Sequence, residues 1–77
     1  MTAKKNGEVP FSERLRDLLK RRGWSTYDLA AKAELSEPYI SMLCTGVRNP
    51  SDATKVAIAQ AFGMKAHKLM EGVRYGE

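Results

Sequence analysis

Apolar residues recur at helical spacing immediately after Pro10 and up to Gly23. A spacing of i, i+4, i+7 and i+8 places side chains on one side of an amphipathic helix. The sequence therefore predicts a first helix that Gly23 ends, since glycine is the usual residue just beyond a helix C-terminus. Its apolar stripe consists of Phe11, Leu15, Leu18 and Leu19.

Serine residues stand where the next helices should begin. Ser25 followed by Asp28 has the form of a capping box, and Trp24 and Leu29 flank it as a hydrophobic staple, which predicts a second helix over 26–33. Ser36 repeats the arrangement for a third helix that Gly46 stops. The staple pair there is Leu35 and Ile40, and the first turn tolerates Pro38.

A turn at 47–50 leads to Ser51, which is predicted to cap a fourth helix that Gly63 terminates. The apolar positions assigned to this helix are Ala53, Val56, Ala57, Ala59, Ala61 and Phe62. A short last helix over about 66–71 is predicted to turn Leu69 and Met70 inward. Because no strand alternation or repeat interrupts this pattern, the predicted fold is all-α, a compact bundle of about five short helices.

The length of 77 residues allows one domain, predicted over 10–72, with a flexible basic arm at 1–9 and a tail at 73–77. Apolar runs are far too short to cross a bilayer, and the first ten residues lack a signal-peptide core, so a cytoplasmic protein without membrane contact is expected. The formal net charge of +4 favours polyanionic partners, and an acidic middle segment separates two basic ones.

The chain contains a single histidine and a single cysteine. His67 stands between Lys65 and Lys68, where an exposed imidazole is expected, and Cys44 shares a helix face with Ile40, which favours core packing. Neither a glycine-rich phosphate loop nor a metal-binding spacing is present. We therefore expect no enzyme, no cofactor and no small-molecule substrate.

The second and third helices are joined by the tight connection 33–36. On a helical wheel the third helix has an inward side and a mostly polar outward side. Inward positions are Ile40, Leu43, Cys44 and Val47, and outward positions are Pro38, Ser41, Met42 and Thr45. This layout is typical of a helix-turn-helix, whose second helix enters the major groove of DNA.

The sequence resembles the Cro and lambda-repressor-like helix-turn-helix domains, also called the XRE family. Five segments in order carry the resemblance, over roughly residues 10–71: FSERL at 11–15, STYDLA at 25–30, LSEPYIS at 35–41, GVRNPS at 46–51 and IAQAFG at 58–63. The resemblance implies a sequence-specific DNA-binding transcriptional regulator of a prokaryote or phage, usually dimeric on a two-fold operator.

The chain departs from the family pattern at four positions. Members typically carry Gln where Thr26 stands, and Gly where Glu34 stands in the turn between helices. A non-glycine residue in a left-handed turn is strained, so either the turn is built differently or stability is lower. An Arg–Glu pair that members often form between helices 1 and 3 is replaced by Leu19 and Cys44, which leaves no unpaired buried charge.

Two groups of residues are candidates for contact with double-stranded DNA. Those expected to face the bases are Ser36, Glu37, Pro38, Ser41, Met42 and Thr45. Those expected at phosphates or the groove edge are Ser25, Thr26, Tyr27, Arg48, Asn49, Lys4 and Lys5. Among the first group, Glu37 could accept from a cytosine amino group, the hydroxyls could hydrogen-bond, and Pro38 or Met42 could contact a thymine methyl. The oligomeric state is left open between a monomer and a homodimer.

Some of these residues also have purely structural interpretations. Ser25 and Ser36 are caps whether or not they touch DNA, and Trp24 is expected in the core. The basic residues at 20–22 are expected at a solvated C-terminal end of helix 1, where positive charge interacts favourably with the helix dipole. An alternative function is a protein-interaction module, an adaptor or anti-regulator, on the same fold. Its docking patch would consist of Pro38, Tyr39 and Met42.

Overall fold

The computed structural model describes residues 9–73, which form five helices packed around one core. The helices are α1 (Phe11–Arg22), α2 (Thr26–Ala33), α3 (Glu37–Thr45), α4 (Asp52–Phe62) and α5 (Ala66–Leu69). Helix α3 packs against both α1 and α2, and α4 packs against α2 and α5. The predicted all-α fold is confirmed. Lys4 and Lys5 lie outside the described residues.

Serine side chains begin three of the helices, as predicted. The Ser25 hydroxyl accepts from the backbone N–H of Asp28 at 3.1 Å, and the Asp28 carboxylate accepts from the Ser25 N–H at 2.9 Å, which completes a capping box. The other two serine caps are Ser36, which accepts from Tyr39 N–H, and Ser51, which accepts from Thr54 N–H. Each cap satisfies an N–H that has no partner inside its helix.

The turn between α2 and α3 has the left-handed geometry that normally selects glycine. Glu34 adopts φ 59° and ψ 43°, and among the described residues it is the one non-glycine residue with a positive φ. The N–H of Leu35 donates to the carbonyl of Ala30 at 2.9 Å, closing the turn as in a glycine-ended helix. Of the two alternatives that the sequence left open, the structure contains the ordinary turn with a strained residue.

The core is formed by apolar side chains from all five helices. The largest fully buried ones are Leu15, Leu29, Ile40, Leu43, Ile58 and Leu69. Trp24 is half-buried and stacks on Phe62, with ring centroids 4.9 Å apart and planes inclined by 10°. This contact joins the start of α2 to the end of α4, in agreement with the structural interpretation of Trp24.

Three arginines of α1 bind the C-terminal ends of other helices. Arg14 donates from Nε to the Leu69 carbonyl at 2.9 Å, and it also reaches the preceding carbonyl of α5. Arg16 donates to the Cys44 carbonyl at the end of α3, and Arg22 donates to the Phe62 carbonyl at the end of α4. Cations at helix C-termini satisfy orphan carbonyls and interact favourably with the helix dipole. Much of the positive charge of α1 therefore holds the bundle together.

Val47, which the helical wheel predicts to face inward, is exposed, and so are two of the apolar positions assigned to α4. Val47 is 71% exposed because Gly46, at φ 85°, ends α3 before it, so the helical wheel does not extend to this residue. In α4, Val56 is 46% exposed and Ala53 is also exposed. The buried side chains of α4 are Thr54, Ile58, Ala59 and Phe62. Because alanine occurs on both sides of α4, the apolar pattern alone does not indicate which side of this helix faces the core.

The first and last described residues pair with each other next to α1. Val9 forms an isolated parallel bridge with Val73, and its N–H donates to the Gly72 carbonyl at 3.1 Å. Val9 is the last residue of the predicted arm and Val73 the first residue of the predicted tail, and Val73 is buried. Helix α5 ends at Leu69, two residues earlier than predicted, while Leu69 and Met70 are buried as expected.

Candidate nucleic-acid interface

The outward side of α3 forms the centre of the candidate interface. Pro38 and Thr45 are exposed, and Ser41 and Met42 are half-buried beside them. The Thr45 hydroxyl donates to the Met42 carbonyl at 3.2 Å, so it has only its acceptor capacity left for other partners. The inward side holds Ile40, Leu43 and Cys44, all buried. Apart from Val47, α3 presents the two sides that the helical wheel predicts.

The N-termini of α2 and α3 lie close together. Thr26, the first residue of α2, donates its hydroxyl to Oε2 of Glu37, the first residue of α3, at 2.7 Å. The sequence predicts a phosphate contact for Thr26 and a base contact for Glu37, and it does not indicate that the two residues touch each other. The signal that was available is positional, since each is the first helical residue after a serine cap.

Residues 25–27 surround the start of α2. The backbone N–H and hydroxyl oxygen of Ser25 are both engaged with Asp28, while Tyr27 is 69% exposed. The helix N-terminus suits an anion, but the Asp28 and Glu37 carboxylates stand next to it. Among the described residues at this end of α2, the Tyr27 side chain and backbone N–H groups could bind a phosphate. The two neighbouring carboxylates oppose such binding.

The turn after α3 supplies the cation closest in sequence to that helix. Arg48 and Asn49 are both exposed, and the Arg48 backbone N–H donates to the Met42 carbonyl at 3.2 Å. Within residues 9–73, no hydrogen bond or ion pair engages the Arg48 guanidinium. The turn thus holds the backbone of Arg48 in place and leaves its charge available to an external anion.

Several other cations already have intramolecular partners. Arg21 pairs with Asp17 at 2.9 Å, and the Lys32 ammonium lies 4.9 Å from the centroid of the Trp24 ring. Arg22 also lies over that ring, at 5.4 Å. Together with the carbonyl contacts of α1, these pairings reduce the number of cations that are available to contact DNA. Of the basic residues at 20–22, Arg21 and Arg22 therefore have intramolecular partners.

Cys44 and His67 occupy the environments expected of them. Cys44 is buried at the end of α3, and burial raises the pKa of its thiol, with the Arg16 charge opposing and the Glu37 charge reinforcing this shift. His67 is exposed at the start of α5. Within residues 9–73, no cluster of three or more metal-ligating side chains occurs, and no helix is long and apolar enough to cross a membrane.

Comparisons with known proteins agree with this geometry. The helix-turn-helix family model matches residues 15–69, a range that includes α2, the turn and α3. A similar protein is the HTH-type transcriptional regulator DdrOP3 of Deinococcus deserti, with 43% identity over 67 residues, or 87% of this chain. The chain spans about half the length of that relative, 52%.

The matched range begins within α1 and ends with α5, so the similarity includes the core as well as the two helices of the motif. The resemblance drawn from the five sequence segments is confirmed. The chain belongs to the Cro and lambda-repressor-like, or XRE, family of helix-turn-helix proteins.

Proposed function

We propose that this chain is the DNA-binding unit of a transcriptional regulator, with α3 in the major groove of double-stranded DNA. The observation that carries the proposal is the outward side of α3, where Pro38, Ser41 and Met42 are exposed or half-buried. In the turn that follows, the Arg48 guanidinium has no partner within residues 9–73. Helix-turn-helix domains use such a helix to contact base edges and the adjoining segments to contact phosphates.

The roles divide by position. Ser41 and Thr45 supply hydroxyls for base edges, Pro38 and Met42 supply apolar contacts for thymine methyl groups, and Arg48 binds a phosphate. Lys4 and Lys5, outside the described residues, belong to the proposal as a basic arm that follows the minor groove. The regulator acts in the cytoplasm, without a cofactor or catalytic step.

The relative from Deinococcus deserti supports the regulatory part of the proposal, since it is named a transcriptional regulator. Because this chain spans half of that relative, regulation by the whole protein is itself part of the proposal. Homodimerisation on a two-fold operator is proposed as well. Its two half-sites would lie about one helical turn, ~34 Å, apart.

The rival function, a protein-docking module, depends on an apolar patch of Pro38, Tyr39 and Met42. Tyr39 is half-buried against the core, and its hydroxyl lies 2.9 Å from Thr54 Oγ1, so the side chain links α3 to α4. Of the three residues only Pro38 is exposed, whereas an interaction surface usually presents a larger contiguous apolar patch. This arrangement favours the DNA proposal.

Salt-dependent DNA binding tests the proposal through Arg48. The variant Arg48→Ala should bind a selected duplex more weakly, and the slope of log K against log salt should become shallower by about one unit, because one counterion fewer is released. Arg21→Ala is the matched control, since that arginine is exposed and paired with Asp17. Identical slopes for the two variants would remove Arg48 from phosphate contact.

A further inference from the structure

The contact between Thr26 and Glu37 joins the first residues of the two helices of the motif. The hydroxyl-to-carboxylate distance of 2.7 Å is that of a charge-assisted hydrogen bond. Glu37 is half-buried, and Oε2 is the oxygen that accepts. No hydrogen bond or ion pair from residues 9–73 reaches Oε1.

We propose that Thr26 and Glu37 form one specificity-determining unit, which selects cytosine in the major groove at the position facing the start of α3. The inference rests on the proposed function, because it names the base that this end of the interface reads. Glu37 is the residue that contacts the base, and Thr26 is a positioning residue that acts through Glu37.

The chemistry of the carboxylate decides which base it accepts. An ionised carboxylate has acceptors only, so it needs a donor from the base edge. Guanine presents O6 and N7 and thymine presents O4, all of them acceptors, whereas cytosine presents its N4 amino donor. Adenine also has an amino donor, but its neighbouring N7 is an acceptor that repels the second carboxylate oxygen.

Burial in the groove makes the choice strict. A carboxylate that loses water without gaining a donor keeps the full desolvation penalty, so a wrong base is disfavoured by more than the loss of one contact. Among the residues on the outward side of α3 and at its start, Glu37 is the only ionised group. The strongest discrimination by α3 should therefore occur at the base pair next to Glu37.

Thr26 fixes the carboxylate before DNA arrives. A free glutamate side chain loses rotamer entropy when it binds, and a preorganised one has already lost it. The hydroxyl of Thr26 holds Oε2 against α2, so Oε1 is the oxygen left for the base. This use of the hydroxyl also replaces the phosphate contact that the sequence assigned to the Thr26 side chain.

The experiment measures base preference on duplexes recovered by selection from a random library, with each position of the recovered site replaced by all four bases. For the wild-type protein, one position per half-site should prefer cytosine by about tenfold or more. Glu37→Gln should transfer that preference to adenine, since an amide pairs with adenine N6 and N7, and leave the other positions unchanged. Glu34→Gln removes the same charge from an exposed turn residue and should change no preference.

Variants of Thr26 test the positioning role. Thr26→Val keeps the shape and removes the hydroxyl, so the preference for cytosine should weaken while other positions keep theirs. Thr26→Ser keeps the hydroxyl and should restore the preference. Melting curves measured on each variant establish that the domain is folded, so a loss of preference reports the lost hydrogen bond.

Two results would overturn the inference. Glu37→Gln could raise affinity for every duplex by the same factor, as Glu34→Gln does, which would reduce Glu37 to general repulsion of DNA. The wild-type protein could also read a motif in which no position responds to Glu37. Both leave the proposed function intact, whereas absence of any sequence preference in the wild-type protein would overturn the proposed function as well.

Discussion

Replacing Glu34 with glycine should stabilise the domain, because Glu34 holds the left-handed position of the turn between α2 and α3. Its φ of 59° and ψ of 43° bring its Cβ towards its own following carbonyl oxygen, and glycine has no Cβ. Its side chain is exposed, and no hydrogen bond or ion pair engages it within residues 9–73. The substitution therefore removes strain and loses no described contact.

The magnitude follows from three contributions. Relief of the left-handed conformation gains about 1–2 kcal/mol. The greater freedom of glycine in the unfolded chain costs about 0.5–1 kcal/mol. Removal of a negative charge from the C-terminal end of α2 gains about 0.3 kcal/mol. The net gain is about 1 kcal/mol, which corresponds to a rise in Tm of about 4–8 °C for a domain of this size.

Thermal and urea unfolding of three variants separate these contributions. Glu34→Gln removes the charge alone and should gain only about 0.3 kcal/mol. Gly23→Ala supplies the opposite change, because Gly23 has φ 69° and open space around its absent Cβ, so the loss of about 1 kcal/mol would be conformational. If Glu34→Gly were no more stable than Glu34→Gln, the strain argument would be refuted.

Three further variants probe the packing of the bundle. Arg14→Ala should lower the free energy of unfolding by about 1–2 kcal/mol in urea titrations, since it removes the hydrogen bonds to the last carbonyls of α5. Equally small losses for Arg14→Ala and Arg21→Ala would contradict this capping role. Ser25→Ala should cost about 1 kcal/mol through the lost capping box, and an unchanged Tm would exclude it. Burial raises the pKa of Cys44, so stability should be constant below about pH 8.5 and fall as the pH rises towards the raised pKa, and Cys44→Ala should remove this decline. A decline of equal size in Cys44→Ala would assign it to other groups.

Local rules predicted the parts of the fold that depend on neighbouring residues. A cap and its N3 partner are three residues apart, so Ser25 and Asp28 identified the start of α2 without tertiary information. The left-handed turn at Glu34 was one of two alternatives that followed from the family resemblance, because members carry glycine at that position. The prediction that Val47 faces inward was wrong because α3 ends at Gly46. Beyond that residue the helical period no longer determines which way a side chain faces.

Long-range contacts were beyond the reach of the pattern. Arg14, Arg16 and Arg22 donate to carbonyls 55, 28 and 40 residues away. Backbone carbonyls are the same at every residue, so the sequence does not mark which of them an arginine will meet. A count of charges accordingly overstated the basic surface available to DNA.

In the candidate site, too, the sequence predicted the local features and missed the contact between helices. The outward side of α3 follows from its helical period, and the positions of Pro38, Ser41 and Met42 agree with it. The hydrogen bond between Thr26 and Glu37 depends on how α2 and α3 cross, which the sequence of either helix alone does not specify. In the proposed unit, the two residues act together on one base instead of making separate DNA contacts.

Selection from a random duplex library, followed by titration of the best and a scrambled duplex at several salt concentrations, tests the central claim most directly. The account predicts a recovered motif with two-fold symmetry, bound at least ~10³-fold more tightly than the scrambled duplex at moderate salt. Equal affinity for both duplexes with a steep salt dependence, or no binding even at low salt, would contradict sequence-specific DNA recognition by α3.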